Sequence, residues 1–221
     1  KGYWDFDTNK PVINDETNVK ALTWVKNYFD YYGDKTINNF KAEFGEQTAD
    51  PFVAGKLAMT TDNANFFTKL RDYGEGINFG VAPLPEMEPG TGNTSWGGGF
   101  VAEIPKGAEH PDEAWEFLKY LTDVQAQEFW AVKNFDIVAN KEAAEKASGS
   151  ADFTEDGKLV YSAANENMKQ TLLTPTPIEA PDYINLIKPE LESVLLGKKS
   201  PKEGLDAAQK AVEELVKSNK K

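Results

Sequence analysis

The chain contains no cysteine. That excludes a disulfide scaffold, a cysteine-ligated zinc site and a thiol nucleophile, though it does not fix the compartment. There is one histidine, His110, placed before Pro111 at an expected helix start. Capping or solvent exposure is the ordinary role there, and a metal site or a Ser-His-Asp triad resting on it lacks support. Basic residues are scarce: 24 Lys and Arg stand against 36 Asp and Glu, for a net charge of −12. Nucleic acid and anionic membranes require clustered positive charge, so the balance argues against both as partners. No apolar run approaches the roughly 20 residues that span a bilayer, and no secretory leader pattern opens the chain. Gly97, Gly98 and Gly99 are not followed by the Gly-Lys-Ser/Thr ending of a phosphate loop. No internal repeat or low-complexity tract is present.

What is there suits a folded α/β protein. The 221 residues, 40% hydrophobic and 12% aromatic, suffice for one large domain or two small lobes with a real core. The opening KGYWDFDTNK reads as mid-domain sequence, because Tyr3, Trp4 and Phe6 call for burial or pairing at once. The chain is therefore expected to be the later part of a longer protein.

The organising stretch is Asn93 to Asp123, NTSWGGGFVAEIPKGAEHPDEAWEFLKYLTD. Trp96 stands on a glycine run that lets the backbone pass close to another group. Phe100, Val101 and Ile104 read as a short buried strand stopped by Pro105. A helix is then expected from Pro111, with Asp112 and Glu113 at the positive end of its dipole and Ala114, Trp115, Leu118 and Leu121 on one buried face.

Elsewhere, Trp4 to Val12 reads as a hairpin turning at Asp7 to Lys10. Asn14 or Asp15 caps a helix ended by Gly33, with Trp24, Tyr28, Tyr31 and Tyr32 as packing and helix surface. Ala49 to Lys56 is expected to be a short helix, Leu57 to Met59 a strand, Thr60 to Asn65 a polar turn, and Phe66 the start of another helix. A strand running into such a turn is where open α/β sheets bind ligands. Ile77 to Leu84 is expected to be a strand. Val124 to Val132 is read as a helix, with Phe129 and Trp130 packing inward. Further helices are expected over Asn140 to Ala147, Leu159 to Leu172 and Tyr183 to Leu196, with Pro189 kinking or restarting the last of these. Pro175, Pro177 and Pro181 punctuate the connection before it. Ser200, Pro201 and Glu203 form a capping box opening a final amphipathic helix that frays into Lys220 and Lys221.

Four segments carry a family resemblance. Phe52-Val-Ala-Gly-Lys-Leu-Ala-Met59 resembles the F-x-x-G-K-x-A-M signature of extracellular solute-binding proteins of ABC sugar importers. GVAPLP at Gly80 to Pro85, WGGGFVAEIP with HPDEAWEFLKYLTD, and LLGKKSPKEGLDAAQKAVEEL resemble that family's later motifs, in the same order. The resemblance implies an α/β, type II periplasmic-binding-protein-like clamshell of the maltose-binding-protein kind, incomplete here. Residues 1–93 and 139–221 would belong to the second lobe, and 94–138 would be the crossover to the first lobe and hinge. It implies a carbohydrate ligand, an ABC permease as partner, no cofactor, no enzymatic step, and an extracytoplasmic protein held to the membrane only through a lipid anchor.

The candidate ligand contacts follow from both readings. Asp62, Asn63 and Asn65 supply the paired donors and acceptors that sugar hydroxyls need, although Asp62 or Asn63 would serve equally as a helix cap. The family usually places an aromatic near position 65, and here Asn65 stands there with Phe66 beside it. Trp96 with Gly97 and Gly98 is the best stacking surface for a pyranose, the alternative being a core tryptophan beside a bulge. Asp182 and Tyr183 follow the proline-rich connection, where a helix cap is the competing role. Asn134, Phe135 and Asp136 are weaker candidates near the hinge return. Asn93-Thr94-Ser95 fits a short glycosylation pattern. Two other classes remain open: the same fold binding a polyamine, peptide or metal chelate, and a glycoside hydrolase with two carboxylates about 5–10 Å apart.

Overall fold

The computed structural model describes residues 2–86, 88–174 and 176–219. Pro175, Lys220 and Lys221, which figured in the reading of the C-terminal third, lie outside the described residues. The chain divides into two compact units, residues 1–43 with 174–221 and residues 44–173.

The first unit is helical. It opens with the expected hairpin, β1 (Trp4–Asp5) antiparallel to β2 (Lys10–Pro11), with Trp4 opposite Pro11. The Asp5 carboxylate accepts the N–H groups of Asp7 and Thr8 and so shapes the turn. α1 (Glu16–Tyr32) begins where Asp15 accepts the Thr17 N–H. It ends at Gly33, whose φ of 79° suits a residue without a Cβ. α2 (Asp34–Glu43) follows. α8 (Tyr183–Leu195) and α9 (Pro201–Asn219) supply most of the core. Leu205, Ala208, Val212 and Val216 recur at helical spacing along α9 and meet Ile187, Val194, Leu22, Ile13 and Trp4. α8 runs unbroken through Pro189, so the expected restart does not occur.

Two devices fix this packing. At the start of α9 the Glu203 carboxylate accepts the Ser200 N–H (2.8 Å) while Ser200 Oγ accepts the Glu203 N–H (3.3 Å). This is the predicted capping box. Gly204 then lets α9 approach α8: a Cβ there would lie 2.4 Å from Val194 Cγ2 and 3.2 Å from the Glu190 carbonyl oxygen. Gln209 ties the helix to the hairpin, donating to the Pro11 carbonyl and accepting the Ile13 N–H.

The second unit is looser in its secondary structure. Gln47–Ala49 form one 3-10 turn, and 51–55 form turns where a helix was expected. Asp50 holds them by accepting the N–H groups of Phe52 and Val53, and Lys69 bridges Asp50 to Glu46 at 3.0 Å each. Burial alone would raise the Asp50 pKa, but the Lys69 hydrogen bond and the two backbone donors outweigh it and hold the carboxyl below its usual range. α3 (Phe66–Tyr73), α4 (Pro111–Leu121), α5 (Val124–Asn134), α6 (Lys141–Ser148) and α7 (Glu155–Asn167) follow. β3 (Ser95–Gly97) pairs in parallel with β4 (Thr171–Leu173), Trp96 opposite Leu172.

The core of this unit is aromatic. Phe135 sits 4.7 Å from Phe67 and 4.8 Å from Phe153, and Phe153 lies 5.3 Å from Tyr161. Phe135 caps α5 in the left-handed conformation, φ 61°, an uncommon choice for a bulky residue that its burial on all sides enforces. Tyr161 is fully buried and its hydroxyl has no partner among the described residues. Burial, then the nearby Asp136, pushes its pKa up to about 12.

Three expected strands are not formed. Residues 57–59, 77–84 and 100–104 are irregular, and Phe100 and Val101 are fully exposed rather than buried. Their apolar runs meet no strand to pair with among the described residues, and strand preference is realised only against a neighbour. α4 likewise buries no residue, and Trp115, Phe117, Phe129 and Trp130 are exposed, which corrects their reading as packing residues. The aromatics of α1 also lie outward, Trp24 stacked on Tyr28 with centroids 5.6 Å apart.

Candidate functional site

Asp62, Asn63, Asn65 and Phe66 lie on the turn that enters α3, in the second unit. The Asp62 carboxylate accepts the Asn63 N–H at 2.8 Å, and the Asn63 carbonyl accepts from the Phe66 N–H at 3.1 Å. Asn65 occupies the cap position of α3 but its side chain makes no capping bond; only its carbonyl is used, by both the N–H and the hydroxyl of Thr68. The competing cap role expected of Asp62 or Asn63 thus falls to neither, since Asn65 holds the cap position. Phe66 is half-buried, edge-on to Phe52 at 6.1 Å, with the Lys69 ammonium 5.1 Å from its ring centre. Phe66 therefore secures the turn from beneath and leaves the two exposed polar residues, Asp62 and Asn63, as its outward groups.

Trp96, Gly97 and Gly98 lie at the edge of β3 in the same unit. Trp96 is 73% exposed, so it is not a core tryptophan. Gly97 faces β4 so closely that a Cβ would sit 2.5 Å from Thr171 Cγ2; a side chain there would push the strands apart. The Ser95 and Thr171 hydroxyls bond at 2.6 Å across the same pair. A Cβ on Gly98 would lie 3.7 Å from the Trp96 ring, an ordinary van der Waals contact. Asn93 Nδ2 donates to the Leu84 carbonyl at 2.6 Å and fixes the approach to the strand.

Asp182 and Tyr183 belong to the first unit, at the start of α8. Asp182 makes no side-chain capping bond and is exposed. Tyr183 is half-buried edge-on to Trp4, with centroids 6.3 Å apart, and burial raises its pKa. The predicted contacts thus fall into two sets, Asp62 to Phe66 with Trp96 to Gly98 in one unit and Asp182 with Tyr183 in the other. Asn134, Phe135 and Asp136 resolve differently. Asp136 accepts from Trp130 Nε1 (2.9 Å) and Asn134 Nδ2 (2.5 Å), while Phe135 is core. Among the described residues no cluster of three or more His, Asp and Glu side chains is arranged to hold a metal ion.

An exposed indole beside glycine, with exposed amide and carboxylate groups in the same unit, is chemistry suited to a polyhydroxyl ligand. The fold agrees with that class. Over 95% of this chain and 52% of the other, it superposes on the protein CpMnBP1 solved with mannobiose bound, with a TM-score of 0.74 and 26% identity. The chain therefore has the fold of periplasmic sugar-binding proteins, matched along about half their length.

The chain belongs to the bacterial extracellular solute-binding protein family, whose sequence pattern matches residues 2–160. It is 26% identical over 228 aligned positions to the arabinooligosaccharide-binding protein of Bacillus subtilis, covering 94% of this chain and 50% of that one. It is 25% identical over 166 positions to a maltooligosaccharide ABC transporter solute-binding lipoprotein of Streptococcus pneumoniae serotype 4, covering 75% of this chain and 37% of that one. The chain spans half or less of the length of these curated relatives. No helix among the described residues is long and apolar enough to cross a membrane.

Proposed function

We propose that this chain is the sugar-recognising portion of the solute-binding component of an ABC importer. Trp96 carries the reading: its indole is largely exposed on a short strand that Gly97 holds close to its partner. The apolar face of a pyranose covers such a ring, while Asp62 and Asn63 of the same unit offer acceptors and donors for hydroxyls. Relatives named for arabino- and maltooligosaccharides, and a structural neighbour solved with mannobiose, support an oligosaccharide as ligand.

In the whole protein, residues 1–93 and 139–221 would form the second lobe and 94–138 the crossover to the first. Ligand binding would favour lobe closure and docking on a membrane permease, outside the cytoplasm, with a lipid anchor as the membrane attachment. No bond of the ligand is broken in this scheme, so the protein is a carrier and not an enzyme. A polyamine is the main competing ligand, because aromatics and carboxylates also suit a cation.

Calorimetric titration of the purified protein with mannobiose, arabinotriose, maltotriose and spermidine tests the reading. Binding of at least one saccharide without turnover is expected, and Trp96→Ala should weaken it about tenfold, roughly 1.4 kcal/mol. Preference for spermidine, or release of reducing ends from the saccharide, would overturn it.

A further inference from the structure

A polar groove of about 300 Å³ runs along α5 beside the α6–α7 loop, wholly within the second unit. Its size is at the low end of the roughly 300–1,000 Å³ of small-molecule sites. α5 contributes Gln125, Glu128, Phe129, Val132 and Lys133, and the loop contributes Ser150 and Asp152. The five α5 residues follow the i, i+3, i+4, i+7, i+8 rule, so they share one face of the helix. α5 meets the core through Ala131 and the Phe135 cap, and Val132 at the margin of the groove face packs against the same cluster.

That face is unusual in what it displays. Phe129 is 63% exposed although three core phenylalanines, Phe67, Phe135 and Phe153, belong to the same unit. Among the described residues, the side chains of Gln125 and Glu128 make no hydrogen bond within the protein. Lys133 Nζ stands 3.6 Å from Asp152 Oδ2, an ion pair longer than a hydrogen bond. Ser150 Oγ accepts only the Asp152 N–H, at 3.2 Å, leaving its own proton to donate. A second depression of about 260 Å³, between α1 and the end of α8, lacks this character because its Lys26 and Asp30 are bonded to each other.

We infer that the α5 groove is a second carbohydrate site, with Phe129 as the stacking surface and Gln125, Glu128, Ser150, Lys133 and Asp152 as the hydroxyl partners. The inference rests on the sugar-binding reading above but on different residues. The lining suits a polyhydroxyl: its two carboxylates disfavour an anion, its one ammonium is paired with Asp152, and a sugar hydroxyl both donates and accepts. The C–H face of the same ring matches the apolar wall of Phe129 and Val132. An open groove with one aromatic wall holds its ligand weakly, so occupancy is expected at millimolar sugar.

The test is amide and side-chain NMR of the 15N-labelled protein titrated with mannobiose and mannotriose. The Gln125 side-chain amide and the backbone signals of 125–133 and 150–152 should shift and saturate. Phe129→Ala should weaken that response at least fivefold, and Gln125→Ala about twofold. Trp96→Ala should leave it unchanged. Phe129 and Gln125 are both exposed, so both variants are expected to keep the fold, and circular dichroism checks this. Shifts near Trp96 with none along α5 would overturn this inference and leave the sugar-binding reading standing. Shifts along α5 with spermidine in place of sugar, or sugar shifts insensitive to both α5 variants, would also overturn it. No response to any sugar anywhere would remove both readings.

Discussion

The two units reach compactness by different routes. The first buries aliphatic side chains between helices that a glycine brings close together, and its start and stop signals are local: Asp15, Gly33 and the Ser200–Glu203 box. The second buries touching rings, and much of its backbone between α3 and α4 is irregular. Aliphatic helix packing fills space through many interchangeable contacts, whereas a ring cluster depends on a few fixed orientations. The difference also divides the labour. The irregular segments and short strand pair of the second unit display Asp62, Asn63 and Trp96 to solvent, which a close-packed helical pair cannot do so readily.

That contrast can be broken most forcefully at Leu205. Leu205→Ala removes a fully buried side chain of α9 and should cost about 4 kcal/mol, the upper part of the cavity series. Hydrogen exchange should then speed up in α1, α8 and α9 first; equal acceleration in α5 to α7 would show that the units do not unfold separately. Gly204→Val attacks the close approach itself. With a Cβ forced to 2.4 Å from Val194 Cγ2, about 3 kcal/mol of destabilisation is expected from urea unfolding. A neutral result would mean that α8 and α9 can separate without loss.

The ring cluster is probed by Tyr161→Phe, the smallest change. Deleting a buried hydroxyl that has no partner among the described residues should stabilise the protein by about 1 kcal/mol. The folded pKa of about 12 lies above the unfolded value near 10, so between those pH values the folded state holds a proton that the unfolded state releases. Stability from this group is therefore complete below about pH 10 and falls as pH rises toward 12. The phenylalanine variant should lack that part of the alkaline decline, and an unchanged slope would place its origin elsewhere.

The helices were legible because their signals are short-range. Asp15, Gly33, Asn140, Ser200 and Pro201 stand where caps were expected, and the alternation of apolar residues in α9 points to its buried face without further knowledge. The strands were not, because an apolar run such as Phe100 to Ile104 carries no information about whether a partner lies alongside. The same limit misplaced Phe129. Aromatic character suggested burial, yet its neighbours at four-residue spacing on either side, Gln125 and Lys133, were polar and could have placed it outside. The candidate contacts around Asp62 and Trp96 were found through loop chemistry and motif order, and burial bears on them only at Trp96 and Phe66.

The uneven burial of the indoles also decides how the protein emits light. Of the five tryptophans, Trp4 is 4% exposed while Trp24, Trp96, Trp115 and Trp130 face water. Most of the rings are therefore already largely hydrated, and denaturation reddens chiefly the contribution of Trp4. A sugar laid over Trp96 would strip water from one of the others and move the spectrum to the blue. Ligand capture and loss of structure would thus carry opposite colours in a single unlabelled measurement.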